Sequence, residues 1–198
     1  MKLQDRLPDS VIVRGKRVRL DLDFRNVLKM LEILANDSLM PEARTYLACK
    51  CICKRTRHPH EVLYEAKKIL FPESRSAETK DAPKITDYVQ DAPLIRAAFR
   101  QVYNIDLFTD KLHWLEFTEL LNELPEGNRY IEVVGIRARP LPSPTKYNAK
   151  EREWLIKAKA QHALHMSDAE QEKYYDKAVR GIFDGIMHFV EGGGNNNE

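Results

Sequence analysis

Apolar residues between positions 91 and 139 recur at spacings of three and four, which is the period of a helix that buries one face. The first of three short helices predicted in this stretch has an apolar face formed by Ile95, Ala98, Phe99 and Val102. Asn104 follows Tyr103 where this helix would end, and asparagine tolerates the left-handed backbone conformation that such a C-cap needs. The pattern therefore predicts a helix with a defined end.

The second helix of this stretch carries one apolar face, which consists of Trp114, Phe117, Leu120, Leu121 and Leu124. Thr109 is its predicted N-cap, because a threonine hydroxyl can accept a hydrogen bond from a free amide of the first turn. Pro125 and Gly127 are predicted to end the helix.

The N-terminal residues predict a β-hairpin. Residues 11–13 and 17–20 form its strands, and Gly15 supplies the positive φ that a tight turn requires. Three helices are predicted after the hairpin, at residues 24–34, 41–56 and 60–71. Asp23 is the expected N-cap of the first helix, and Pro41 suits the first turn of the second. A two-stranded hairpin is marginal alone, so it is expected to lie against these helices.

A proline-rich segment separates the last of the three short helices from the C-terminal part of the chain. That helix carries Ile131 and Val134 and ends at Arg137-Ala138-Arg139. Residues 139–145 are predicted to form a stiff, extended connector, because proline disfavours the helical conformation of the residue before it. Two further helices are predicted after it, at about residues 148–165 and 168–190.

The chain is therefore predicted to be mainly α-helical, with seven or eight helices, a small N-terminal β-hairpin and a C-terminal helical extension. The predicted regions are a hairpin plus helical domain (1–138), a proline-rich connector (139–145), C-terminal helices (146–190) and a disordered tail (191–198). Residues 72–84 contain no large apolar side chain, so they are predicted to form a mobile loop within the first region.

Composition and charge narrow the classes of function. The chain has 198 residues, with 32 basic and 30 acidic side chains that leave a net charge of only +2. A nucleic-acid-binding domain usually has a much larger basic excess, so this balance argues against nucleic acid as the main partner. No apolar run approaches the length of about 20 residues that a membrane-spanning helix needs, and no signal peptide is recognisable. The protein is therefore expected to be soluble, with no membrane partner.

Three cysteines and two histidines form the one cluster that invites a metal interpretation, namely Cys49, Cys51, Cys53, His58 and His60. Structural zinc sites usually bring together ligand pairs from separate segments. Helical spacing places Cys49 and Cys53 on one side of the predicted helix and Cys51 on the other, so the three thiolates cannot converge on one ion. The cysteines are interpreted as small packing residues in a reducing cytoplasm, and no metal or other cofactor is predicted.

The sequence offers no set of residues with a recognisable catalytic arrangement. It has no motif that pairs a nucleophile with a base, and no glycine-rich phosphate loop. His113 falls within the apolar face of Trp114 and Phe117, where it is predicted to be a buried imidazole with a hydrogen-bond partner. Arg137, near a helix end, is interpreted as a structural ion-pair residue or a partner contact. No catalytic residue is assigned, and the protein is predicted not to be an enzyme.

Four segments of the sequence, in order and at matching separations, resemble one protein family. They are LPDSVIVRGKRVRLDLDFR (7–25), AAFRQVYNIDL (97–107), LHWLEFTELLNELPE (112–126) and GIRARPL (135–141). These segments make the chain similar to the bacteriophage gene-product-fifteen family, which consists of small proteins encoded among the tail genes of long-tailed phages. The resemblance covers roughly residues 7–165. Its family-motif residues, with a structural or partner-contact role left open, are Asp106, His113, Trp114, Phe117 and Arg137.

This resemblance implies a role in assembly rather than in catalysis. Members of the family are regarded as tail assembly chaperones, which keep the long helical tape-measure protein soluble while tail-tube subunits polymerise around it. The implied partners are the tape-measure protein or other phage tail proteins, in the cytoplasm of the bacterial host. Two alternatives remain open: a structural component of the phage tail or virion, and a small helical nucleic-acid-binding regulator.

The predicted helix at the C-terminus, residues 167–190, is not part of the resemblance. Its apolar positions recur at spacings of three and four and are Tyr175, Ala178, Val179, Ile182, Ile186 and Phe189. Gly181 and Gly185 each cost this helix about 1 kcal/mol relative to alanine, and the expected compensation is the close approach of another helix. The stripe is expected to pack partly against its own domain and partly against another subunit or a helical client. A homo-oligomer through this helix remains open.

Overall fold

The computed structural model describes residues 4–72 and 84–165. Along these residues a two-stranded antiparallel hairpin is followed by seven helices. The strands are β1 (Ser10–Val13) and β2 (Lys16–Arg19), and the helices are α1 (Phe24–Ala35), α2 (Pro41–Ile52), α3 (Pro59–Leu70), α4 (Ala92–Tyr103), α5 (Trp114–Asn122), α6 (Arg129–Ala138) and α7 (Ala149–Gln161). The prediction of a mainly α-helical fold with an N-terminal hairpin is confirmed. The predicted loop at 72–84 (its end residues apart), the predicted helix at 168–190 and the tail at 191–198 lie outside the described residues.

The hairpin turns through Arg14 and Gly15, whose φ angles are 49° and 73°. Two successive positive φ angles are typical of a type I′ turn, which matches the right-handed twist of the strands it joins. The sequence predicted a positive φ for Gly15 but not for Arg14. The guanidinium of Arg14 forms an ion pair with Glu61 of α3 at 2.6 Å, so the turn is tied to the helix against which β1 packs.

Several helix ends follow directly from local sequence chemistry. The carboxylate of Asp23 accepts a hydrogen bond from the amide of Arg25 and caps α1 as predicted. Helices α2 and α3 both carry a proline in the first turn, where a missing amide costs nothing. Asn104 has the left-handed conformation predicted for it, with φ 54° and ψ 32°, and it ends α4.

Two predicted helices extend beyond the observed ones. Helix α2 ends at Ile52 rather than near residue 56, because the carbonyl of Ile52 accepts a hydrogen bond from the amide of Asp21 at 2.8 Å and Cys53 is extended. Helix α7 spans Ala149–Gln161 rather than residues 148–165. In both cases a distant segment donates a hydrogen bond to a backbone carbonyl at the helix end. At the end of α7 the carbonyl of His162 accepts this hydrogen bond from Nε of Arg137.

The assignment of Thr109 as the N-cap of α5 was wrong. The amide of Thr109 donates to the carbonyl of Asp106 at 3.0 Å, within a turn. His113 is extended, and residues 112–114 pair with residues 22–24 through two backbone hydrogen bonds of 2.8 and 3.0 Å. The helix can begin only after this pairing, so a tertiary contact decides the boundary.

His113, rather than Thr109, caps α5. Its Nδ1 accepts a hydrogen bond from the amide of Leu115 at 3.2 Å. The prediction of a hydrogen-bonded imidazole is confirmed, but the ring is only half-buried and lies before the helix instead of within its apolar face. At the cap position the imidazole accepts from the free amide of Leu115, so the ring does not join the apolar face of the helix.

Aromatic rings from α1, α4 and α5 form the centre of the core. The ring of Phe117 stacks on Phe24 with a centroid distance of 4.7 Å and on Phe99 with a distance of 5.3 Å. Trp114 is 2% exposed, which confirms its predicted burial. Cys49 and Cys53 are buried and Cys51 is half-buried, but Cys53 follows the end of α2 in an extended conformation instead of lying within the helix as predicted. None of the helices among residues 4–72 and 84–165 is long and apolar enough to span a membrane.

Candidate functional site

An open apolar groove lies between α1 and α4, and we call it the α1–α4 groove. Its floor consists of Phe24, Leu28, Ile95, Leu107 and Phe117, and its rim carries Arg25, Arg96 and Phe108. The groove has a volume of about 260 Å³. Small-molecule sites usually enclose roughly 300–1,000 Å³, so this groove suits apolar side chains of a docked segment better than a cofactor.

Phe108 is the most prominent apolar group at the rim, because 67% of its surface is exposed. The guanidinium carbon of Arg96 lies 4.8 Å from the centroid of the Phe108 ring, in a cation–π contact. Within the described part of the chain no carboxylate forms an ion pair with Arg96. The rim therefore presents an aromatic face and a cation whose charge is not neutralised by a described neighbour.

Arg25, the second cation of the rim, is held rigidly. Its Nε and Nη2 donate to the two carboxylate oxygens of Asp23, each at 2.9 Å, and its guanidinium also donates to the carbonyls of Phe108 and Asp110. Burial alone would raise the pKa of Asp23, but the hydrogen bonds and charge of Arg25, with the charge of Lys111, lower it below its usual range. Asp23 is thus ionised at neutral pH and fixes the position of Arg25.

Asp106, one of the family-motif residues, shapes the loop that presents Phe108. Its carboxylate accepts a hydrogen bond from the amide of Phe108 at 3.0 Å and forms an ion pair with Arg100. The hydrogen bond from Phe108, followed by the contact with Arg100, lowers the pKa of Asp106. The amide of Asp106 in turn donates to Asp110 at 2.8 Å. These contacts hold the loop so that Leu107 is buried while Phe108 faces solvent.

His113 and Trp114 lie behind the groove and join segments that are distant in sequence. The Nε2 of His113 lies 3.0 Å from the carbonyl of Pro8, so a neutral ring with its proton on Nε2 satisfies both this contact and the cap. The indole Nε1 of Trp114 donates to the carbonyl of Leu70 at 3.0 Å, at the end of α3, where helical carbonyls lack an internal partner. Both residues therefore make structural contacts within the domain.

Phe117 is the family-motif residue that belongs to both the core and the groove. Its ring is buried between Phe24 and Phe99, and one part of it forms the groove floor. A side chain that enters the groove would consequently contact the aromatic core directly. Replacement of Phe117 would disturb the fold together with the groove, so tests of the groove require the exposed rim residues.

Arg137 lies away from the groove floor and rim, in a buried ion pair with Asp91. Its Nη1 and Nη2 donate to the two carboxylate oxygens of Asp91 at 2.8 and 2.9 Å. Asp91 is 1% exposed and the Arg137 side chain 11%. Arg137 also donates to the carbonyls of Ile85 and His162, so it joins the start of α4 to α6 and to the end of α7. The contact is bidentate, and this geometry is specific to arginine.

Residues 4–72 and 84–165 contain no cluster of three histidine, cysteine or acidic side chains that could hold a metal ion. Burial, with a smaller contribution from neighbouring Cys53, raises the pKa of the Cys49 thiol to about 11, so this thiol is protonated and weakly nucleophilic at neutral pH. The groove supplies apolar surface, one exposed aromatic ring and two cations.

Arg25, Arg96 and Phe108 line the groove although the sequence did not predict them as site residues. A usable signal was present for Phe108, because a large aromatic side chain occurs in a short polar loop between Asp106 and Asp110. Loop residues on a rigid scaffold supply a disproportionate share of binding contacts, so an aromatic residue in this loop is a candidate. For Arg25 and Arg96 the sequence offered no signal, because charged residues beside an apolar helical face are usual.

The described residues form a mainly α-helical fold with an N-terminal hairpin and an open apolar groove. The chain belongs to the bacteriophage Gp15 protein family, whose model matches residues 3–164. The family suggested by the sequence segments is thus confirmed. Comparison with curated proteins and with solved structures gave no match.

Proposed function

We propose that this protein is a non-enzymatic phage tail assembly chaperone. In this role it binds the tape-measure protein, tail-tube subunits or both in the host cytoplasm during tail morphogenesis. Membership of the bacteriophage Gp15 protein family supports a phage-related role. The observation that most supports chaperoning is the α1–α4 groove, with Phe108 exposed at its rim and two arginines beside it.

The chemistry of the groove matches what an assembly chaperone requires. A helical client that has not yet assembled exposes an apolar stripe, and a groove that accepts its side chains shields the stripe from aggregation. Exposed aromatic and arginine residues are the side chains that most often dominate such interfaces. A shallow groove with a small contact area favours reversible binding, which lets the client pass on to the growing tail.

Co-expression with the tape-measure protein tests this proposal. The soluble fraction of the tape-measure protein is expected to rise when the full chain is present. Phe108→Ser and Arg96→Glu are each expected to weaken client binding about tenfold, the scale on which an interface loses one anchor residue. Because both side chains lie at the rim, the variants should keep the melting temperature of the parent protein.

Tyr64→Ser is the matched control. Tyr64 is 65% exposed and its ring also carries a cation, with Lys68 Nζ 4.6 Å from the centroid, but it does not line the groove. Equal loss of client solubility in the Phe108 and Tyr64 variants, or no rise in solubility with the parent chain, would overturn the proposal. Stoichiometric retention of the protein in purified phage particles would instead favour a structural component of the tail.

A further inference from the structure

The described part of the chain ends beside the start of α4. The amide of His165 donates to the side-chain oxygen of Gln90 at 2.7 Å, and the side-chain nitrogen of Gln90 donates to the carbonyl of His165 at 2.9 Å. Gln90 lies in the turn that directly precedes α4. This reciprocal pair of hydrogen bonds fixes the point from which residues 166–198 continue.

The α1–α4 groove is within short reach of this point. Arg96 follows Gln90 along α4, and at 1.5 Å per residue the two are separated by about 9 Å along the helix axis. Three extended residues span about 10 Å. Residues 166–168 are therefore long enough to bring the following segment to the rim of the groove.

The sequence of that segment complements the groove. Its first part carries four carboxylates, Asp168, Glu170, Glu172 and Asp176, against the two lysines Lys173 and Lys177, so it is acidic on balance. Its later part carries apolar residues at spacings of three and four, which is the pattern of a helix that docks into an apolar groove. The carboxylates match the charge of Arg96, since Arg25 is already paired with Asp23, and the apolar stripe matches the floor formed by α1, α4 and α5.

Other apolar clefts of the described residues fit this segment less well. The cleft between α6 and α7, beside the exposed Trp154, also has two arginines, but Arg129 is paired with Glu132 and Arg139 with Glu151. The cleft between α1 and α3 is lined almost entirely by apolar groups and has no arginine. Lys67 gives the α1–α3 cleft a cation, but among these three clefts only the α1–α4 groove combines an apolar floor with a rim arginine that has no ion-pair partner among the described residues. The planar guanidinium of an arginine can bind a carboxylate through two hydrogen bonds.

We infer that residues 167–190 bind in the α1–α4 groove of their own chain, with the acidic part beside Arg96 and Arg25 and the apolar stripe on the floor. The inference concerns the groove named under the proposed function, yet it requires no tail client, because both binding partners belong to one chain.

Photo-crosslinking of the purified full chain tests this inference. A p-benzoylphenylalanine residue replaces Phe108, and the products are separated by mass and mapped by peptide mass spectrometry. The expected result is a crosslink from position 108 to residues 167–190 in species of monomer mass. Arg96→Glu is expected to lower this yield about tenfold, because it places a negative charge opposite the carboxylates. In that background, Asp168→Lys, Glu170→Lys and Glu172→Lys together should restore the yield.

The same photoreactive residue at Tyr64 and at Trp154 provides the controls, since both side chains are exposed and lie outside the groove. Neither control is expected to reach residues 167–190. A crosslink from Trp154 in place of position 108, equal yields at positions 108 and 64, or a crosslink found only between two chains would each overturn the inference. None of these measurements involves a client, so they remain informative if the tape-measure protein proves not to bind.

Discussion

Replacing Arg137 by methionine is expected to destabilise the fold strongly, because Asp91 would lose its only charged partner within the described residues. Asp91 is 1% exposed, and without Arg137 its carboxylate would retain the hydrogen bond from the amide of Asp87 at 2.9 Å. Removal of one member of a buried ion pair costs about 3–5 kcal/mol. For a chain of 198 residues this corresponds to a fall in melting temperature of roughly 6–20 °C.

Urea unfolding followed by far-ultraviolet circular dichroism measures this effect. A lower urea concentration at the unfolding midpoint, with an unchanged dependence of the unfolding free energy on urea concentration, would show that the substitution lowers stability and does not alter the unfolded state. Arg139→Met is the matched control on the same helix end. Arg139 pairs with Glu151 at 2.6 Å, but the two side chains are 53% and 49% exposed, so this change should cost less than about 1 kcal/mol.

A double-mutant cycle separates the ion pair from the other contacts of Arg137. Asp91→Asn combined with Arg137→Met should be less destabilised than the sum of the two single changes, with a coupling of about 0.5–3 kcal/mol. If Arg137→Met costs no more than Arg139→Met, or if the two changes at the pair are additive, the buried contact does not stabilise the fold and the reasoning fails.

Four further outcomes are expected. Trp114→Ala should cost about 3–5 kcal/mol and Trp114→Phe less, and an unchanged melting temperature for the alanine variant would contradict the core role of the indole. His113→Ala should cost about 1 kcal/mol through loss of the α5 cap, and His113→Asn should recover part of it in the same urea titration. The pKa of the Cys49 thiol is raised from 9.0 to about 11, so its contribution to the unfolding free energy should be complete below pH 9 and lost as the pH rises towards 11. In Cys49→Ala the unfolding free energy should fall less steeply over this pH range. Elemental analysis of protein purified without added metal should find no stoichiometric metal, whereas about one zinc per chain, lost when Cys49 and Cys53 are replaced by serine, would refute the interpretation of the cysteines as packing residues.

Local sequence chemistry determined the helical character of the chain and several of its boundaries. The left-handed cap at Asn104, the positive φ of Gly15 and the cap at Asp23 were all predictable, because each depends on the conformational preference or hydrogen bonding of one residue and its immediate neighbours. The burial of Trp114 was also predictable, since the period of the apolar residues indicates the face that turns inward.

Tertiary structure alone decided where α5 begins and where the candidate site lies. Thr109 is a suitable N-cap by local rules, yet the pairing of residues 112–114 with residues 22–24 moved the cap to His113. Arg137 and its partner Asp91 are 46 positions apart, so their ion pair could not be read from spacing. The α1–α4 groove draws on α1, α4, α5 and the loop that carries Phe108. Helical periodicity identifies apolar faces, but only the packing of distant segments determines which part of those faces remains uncovered.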